Sequence, residues 1–168
     1  GETAKASGAK IIHFCGFDSI PAVLGIWLLQ KYIRENWQTE LRKAEGYYTL
    51  AKGGLNGGTL LSALNLLETG EAKRLGHPKL LTKDLKHRDF ITKIKRKWKN
   101  HYAEDIKRWV YPFFMADVNT KVVYRSIGLA AEYERPHPKE FLYQEFHAIG
   151  KRIPSFIASV SMVSFAVL

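Results

Sequence analysis

Apolar residues recur along this chain in two rhythms, and each change of rhythm marks a change of element. Ile11 to Cys15 forms a short apolar run with the length and composition of a buried strand. The polar turn Gly16-Phe-Asp-Ser-Ile-Pro21 ends it. From there Val23, Leu24, Trp27, Leu28 and Tyr32 recur at three- and four-residue spacing, which predicts a helix over Ile20 to Trp37 with a broad apolar face. Gly16 permits backbone angles that a residue with a Cβ resists, Asp18 or Ser19 can cap the helix, and Pro21 fits its first turn. Glu45 to Lys52 is rich in aromatic and β-favouring residues and reads as a strand. Gly53-Gly-Leu-Asn-Gly-Gly58 breaks it, and Leu60, Leu61, Leu64 and Leu67 place a helix over Thr59 to Thr69.

Beyond the loop at His77-Pro78, Ile91, Ile94 and Trp98, with Tyr102 following, fit one face of a basic amphipathic helix within Lys83 to Ile106. Trp109 to Pro112 is extended and leads into a helix from Phe113 to about Ala131, with Met115, Val118 and Val122 on one side. Glu134-Arg-Pro-His-Pro138 is a turn, and Glu140 to Ile149 is a strand alternating through Phe141, Tyr143, Glu145 and His147. Pro154 opens a final helix. Strands separated by long helices, with few hairpin signals, predict an α/β (or α+β) fold in which a mixed sheet is packed with helices.

A chain of 168 residues fits a single domain, spanning 1–168, and can bury a sizeable core. Its net charge of +10 is unevenly spread. Between Lys83 and Lys99, eight Lys or Arg stand against Asp84 and Asp89, so the excess is a local patch and not a uniformly basic surface. A solvated helix face is the favoured reading of Lys93-Ile-Lys-Arg-Lys-Trp-Lys99. An acidic partner or an anionic membrane surface stays open, and nucleic acid is disfavoured because no recognised binding motif accompanies the run. The single Cys15 excludes an intramolecular disulfide and is compatible with a cytoplasmic setting. Ile153 to Leu168 carries no charge, but its sixteen residues include four serines and fall short of the ~20 apolar residues of a spanning helix. A buried or interface helix is the stronger expectation there. The chain stops inside this run, which is expected of a truncated piece.

Candidate chemistry collects at the glycine turns. A strand ending in a glycine-opened turn onto a helix N-terminus offers free backbone N–H groups and a dipole that favours negative charge. Gly16, Phe17, Asp18 and Ser19 are therefore candidates for lining a cleft, with Asp18 a weak candidate for proton transfer. The plainer reading is a helix cap worth roughly 1 kcal/mol, and both can hold. In the second glycine loop, Gly53 and Gly58 have nearly the phosphate-loop spacing, but Thr59 stands where that loop needs lysine. A tight turn is favoured there, with a substrate-facing loop at Gly57, Gly58 and Thr59 as the alternative. Asn119, Lys121, Arg125 and Ser126 share a helix and could meet an anionic group, although an ion-paired face is commoner. His13 and Cys15 read as buried strand residues, and the six scattered histidines suggest no metal site.

Four segments also carry a family likeness. Cys15-Gly-Phe-Asp-Ser-Ile-Pro21, Gly57-Gly-Thr-Leu-Leu-Ser62, Pro112 to Ser126 and Phe141-Leu-Tyr-Gln-Glu145 resemble, in order, the second domain of saccharopine dehydrogenase-like oxidoreductases, the group that includes the trans-acting enoyl reductases. The basic stretch of about 71–108 departs from the likeness and reads as an insertion. The resemblance implies a mixed-sheet domain that binds substrate and forms a homodimer, in a parent whose other domain holds NAD(P). It implies that the Gly16–Ser19 turn lies at the cleft between domains, and Asn119, Arg125 and Ser126 are candidates for the same cleft without a role fixed by the likeness. It also implies a small-molecule or acyl substrate. No Gly-x-Gly-x-x-Gly turn is present, so the chain is expected to be a fragment or truncated homologue that binds no dinucleotide tightly on its own. A non-catalytic interaction domain and an anionic-surface module built on 83–99 remain the alternatives.

Overall fold

The computed structural model describes residues 2–16, 19–49, 61, 65, 68–70, 77, 80–86, 89–91, 99–133 and 135–148. Four strands among them form one mixed sheet: β1 (Lys43–Thr49), β2 (His101–Ala103), β3 (Arg108–Pro112) and β4 (Leu142–Ala148), in the order β1-β4-β3-β2. β1 and β4 run parallel, with Lys43 beside Leu142 and Thr49 beside Ala148. β3 is antiparallel to both β4 and β2. The helices are α1 (Glu2–Ser7), α2 (Ile20–Trp37) and α3 (Ala116–Glu132). This is the expected α/β class.

β4 is paired on both edges, and every residue in it except His147 is buried. Its Tyr143 joins the core formed with α2 and α3, where Ala22, Ile26, Phe90, Val123, Tyr124, Ile127 and Phe141 pack together. Phe146 and Ala148 project to the other face and pack with Ala103 and Val110. A strand buried on both faces can carry polar side chains only where each finds a partner. That condition creates the site described below.

Several expectations are corrected. The bounds of α2 match, but of its apolar row only Val23 packs against the core: Leu24, Trp27, Leu28 and Tyr32 are 52–56% exposed, while Ala22 and Ile26 are 4–5%. Apolar residues surround most of this helix, so periodicity could not choose the face that α3 and the sheet select. Ile11 to Cys15 forms no strand. Ile11, Ile12 and Phe14 are exposed, His13 and Cys15 with them, and Phe14 has φ 59, which interrupts an extended run. Among the described residues no strand pairs with this segment, and apolar side chains alone cannot satisfy its backbone.

α3 starts three residues later than its pattern suggests, because Phe113 to Met115 form a turn in which Phe113 N–H donates to the Glu145 carbonyl (3.1 Å) and Ala116 N–H to the Phe113 carbonyl (3.0 Å). Its buried face is Val123, Tyr124, Ile127 and Ala131, not Met115, Val118 and Val122. A continuous helix through Ile91 and Tyr102 is excluded, since Ile91 bridges to Phe141 and Tyr102 lies in β2. Leu85 and Phe90 are core residues, and Phe141 N–H donates to the Phe90 carbonyl at 2.8 Å. The described part of the 71–108 stretch is thus built into the domain. The basic residues 93–97, most of the Thr59–Thr69 helix and the segment after Ala148 lie outside the described residues.

Candidate functional site

The parallel pairing of β1 and β4 sets Glu145 beside Gly46, with Tyr143 and His147 two residues away on the same face and Tyr48 beside His147. The Glu145 side chain is 1% exposed. Its Oε1 accepts from the Tyr143 hydroxyl (2.6 Å) and the Tyr48 hydroxyl (2.9 Å), and its Oε2 from Asn119 Nδ2 (2.9 Å). Asn119 in turn accepts from Ser19 Oγ through Oδ1 (3.0 Å). One chain of hydrogen bonds therefore joins the start of α2, the first turns of α3, and strands β4 and β1. An isolated buried carboxylate would be strongly disfavoured, and three donors to its oxygens stabilise it. Gly46 makes the space: a Cβ there would lie 3.3 Å from the Tyr143 hydroxyl and 3.5 Å from Glu145 Cγ. Burial first, and the neighbouring Glu145 second, raise the Tyr143 pKa far above the usual phenol range, so this group stays a neutral donor.

His147 continues the same face into an aromatic wall. Its ring stacks on Tyr111 (centroids 5.1 Å apart) and meets Phe113 edge-on (4.8 Å), while Phe113 stacks on Tyr48 at 4.4 Å. Phe114, also beside the ring, is 59% exposed and opens the wall to solvent. His147 Nδ1 is buried and has no hydrogen-bond partner. Burial lowers the His147 pKa from its ordinary value, with the Tyr48 backbone acting in the opposite sense, so the imidazole is neutral at neutral pH. A neutral ring with an uncommitted nitrogen can accept a hydrogen bond or, in the other tautomer, donate one.

Of the residues singled out in the sequence, Ser19 and Asn119 meet in this network. Ser19 does so in place of capping: its side chain makes no cap bond to α2. Gly16 is exposed, and its carbonyl accepts from Ile20 N–H at 3.1 Å. Arg125 is not brought into the network; it binds both Asp84 oxygens (2.9 and 3.1 Å) and the Leu81 carbonyl. That pairing holds the Asp84 carboxyl below its usual range. Ser126 Oγ donates to the Val122 carbonyl at 3.0 Å, and Lys121 pairs with Asp117. Phe17, Asp18, Gly57, Gly58 and Thr59 lie outside the described residues. Glu145, Tyr143, Tyr48 and His147 were not among the sequence candidates. Their signal was present as alternation of polar and aromatic residues along β4, but alternation alone assigns such residues to a solvated face.

Among the described residues no three His, Cys, Asp or Glu side chains are placed to hold a metal ion, and no helix is long and apolar enough to cross a membrane. The described residues also do not fit a dinucleotide pyrophosphate. At the start of α2 and the first turns of α3, Ser19 and Asn119 are committed to each other and to Glu145, and Lys121 to Asp117, so these side chains are not turned to a phosphate.

Comparison with known proteins adds a relationship along nearly the whole chain. It is 31% identical over 166 residues to a Mycobacterium tuberculosis protein that carries the provisional name trans-acting enoyl reductase, covering 94% of this chain and 39% of that protein. It is 28% identical over 174 residues to the trans-acting enoyl reductase of Mycobacterium leprae, covering 96% of this chain and 40% of that one. A Mycobacterium bovis trans-acting enoyl reductase is likewise 28% identical over 172 residues. These relatives support an enoyl reductase-like family. The chain spans about two fifths of the length of the curated relatives it matches. No family model matches the chain, and no solved structure matches it.

Proposed function

We propose that this chain is the substrate-binding and dimer-forming domain of a saccharopine dehydrogenase-like, NAD(P)-dependent oxidoreductase that acts on an enoyl substrate. One observation carries the reading: three of the segments that resemble that group, 15–21, 112–126 and 141–145, contribute Ser19, Asn119, and Tyr143 with Glu145 to a single hydrogen-bonded chain. Residues a hundred positions apart are thereby held over the middle of two parallel strands, where Glu145 pairs with Gly46. The likeness to proteins named trans-acting enoyl reductases supports the substrate class.

Reduction of a conjugated double bond adds a hydride to one carbon and a proton to the other. The nicotinamide supplies the hydride when bound, and in this reading it is held by a part of the parent outside this chain. This chain's residues bind and orient. Glu145 fixes the Tyr48 and Tyr143 hydroxyls, and the aromatic wall of Tyr111, Phe113 and Phe114, packed on the His147 ring, excludes water from a flat acyl group. Self-association belongs to the same proposal, supported by the exposed apolar row on α2.

Replacing the matching segment of the M. tuberculosis relative with this chain tests the reading. The hybrid should oxidise NADPH only when an enoyl thioester is present, and Glu145→Gln should lower kcat roughly tenfold or more. A folded hybrid that binds NADPH yet never reduces an enoyl thioester would overturn the substrate class. The chain alone should bind NADPH weakly or not at all, and tight binding would overturn the division of labour.

A further inference from the structure

Ahead of the N-terminal ends of β1 and β4, a cleft opens between the exit of α2 and the segment that leads into β4. Its volume is about 380 Å³, and Gln30, Arg34, Glu40, Leu41, Arg135 and Pro136 contribute to its walls. Gln30 Nε2 is buried there without a hydrogen-bond partner. The Arg34 guanidinium is oriented by one bond, to the Pro136 carbonyl at 3.3 Å, which leaves most of its N–H groups uncommitted. Arg135 is exposed and makes no side-chain hydrogen bond or ion pair among the described residues. Glu40 is the sole carboxylate of the lining among the described residues, and its Oε2 already accepts from Lys139 N–H at 3.2 Å.

Two guanidinium groups against one engaged carboxylate leave the cleft positive. The C-terminal ends of α2 and α3 lie close by and do not reverse this. Part of their terminal carbonyls is already engaged: Gln38 N–H donates to Arg34 O (3.2 Å), Tyr133 N–H to Leu129 O (3.1 Å) and Arg135 N–H to Ala130 O (2.8 Å), and two full guanidinium charges outweigh the half charge of a helix end. A buried amide N–H group with nothing to donate to is destabilising unless a ligand supplies the acceptor. An oxyanion is acceptor-only and matches all three donor groups at once. The space exceeds that of a bare inorganic anion, and Leu41, Pro136 and Pro138 give an apolar wall for an attached organic body.

We propose that this cleft binds a small organic oxyanion, a carboxylate or a phosphate monoester, held by Gln30, Arg34 and Arg135. The site is separate from the Glu145 network and does not depend on the enoyl reading.

The full 168-residue chain is titrated by two-dimensional amide NMR with benzoate, phenyl phosphate and, as the uncharged control, benzyl alcohol. Saturable shifts at the amides of residues 39–41, 135 and 137 are expected with an anion and not with the alcohol. The tighter of the two anions identifies the source of the charge. Arg135→Ala should weaken binding roughly tenfold without changing the melting temperature, and Gln30→Leu should weaken it comparably. Absence of saturation by about 10 mM with either anion would overturn the proposal, as would equal shifts from benzyl alcohol or undiminished binding in both variants.

Discussion

Glu145 is a carboxylate inside a strand, and its stability rests on who donates to it. Asn119→Leu would strip one donor from its Oε2 and leave Ser19 Oγ without its acceptor. Urea unfolding should then show a loss of about 1–3 kcal/mol, whereas a loss near zero would mean that water replaces the amide. His147 makes a prediction about acid. Burial lowers its folded pKa below the ordinary 6.5, so the unfolded chain takes up a proton that the folded chain refuses. The contribution is complete above 6.5 and is lost as pH falls through the folded value. Stability measured from pH 7 downward should decline less steeply in His147→Phe than in the parent, and identical slopes would remove the burial argument. These residues were hard to find in advance. Tyr143, Glu145 and His147 lie in a strand that the sequence located correctly, but only the second layer of helices and the β1 edge convert an outward face into a buried one.

For α2, the helix itself was legible from end to end, and the side it turns to the core was not. Ile26 is 5% exposed and Leu28 56%, although both are large aliphatic residues two positions apart. Ile26→Ala should cost about 2–5 kcal/mol in chemical denaturation, and Leu28→Ala less than about 1 kcal/mol. Equal costs would show that the row of Leu24, Trp27, Leu28 and Tyr32 is covered within the chain. Leu28→Glu should leave the monomer folded while reducing the mass measured by light scattering, if that row joins two copies. The expected strand at Ile11 to Cys15 fails for the complementary reason. Its composition suits a strand, yet pairing needs a neighbour, and Phe14 takes a left-handed backbone instead.

Across the whole molecule, the basic stretch behaves differently from its charge. Its described residues hold to the domain through the buried Leu85 and Phe90 and through the Arg125–Asp84 ion pair, contacts that do not use Lys95, Arg96 or Lys97. Reversing Lys95, Arg96 and Lys97 to glutamate should therefore leave the melting temperature and the oligomeric state unchanged. A salt-dependent nucleic-acid affinity that disappears in the variant would instead favour a binding module. The sequence by itself determined the class of fold, the extent of α2 and the places of β1, β3, α3 and β4. Those depend on short-range periodicity and turn chemistry, which a linear reading can reach. It also marked Ser19 and Asn119 as residues of interest. Only the tertiary structure decided that they meet, and that they meet at Glu145. That contact spans 26 residues in one bond and 100 in the next, and it follows from the parallel registration of β4 on β1 and the packing of two helices over it. Which polar residue is buried, and with which partner, is a property of how the layers close.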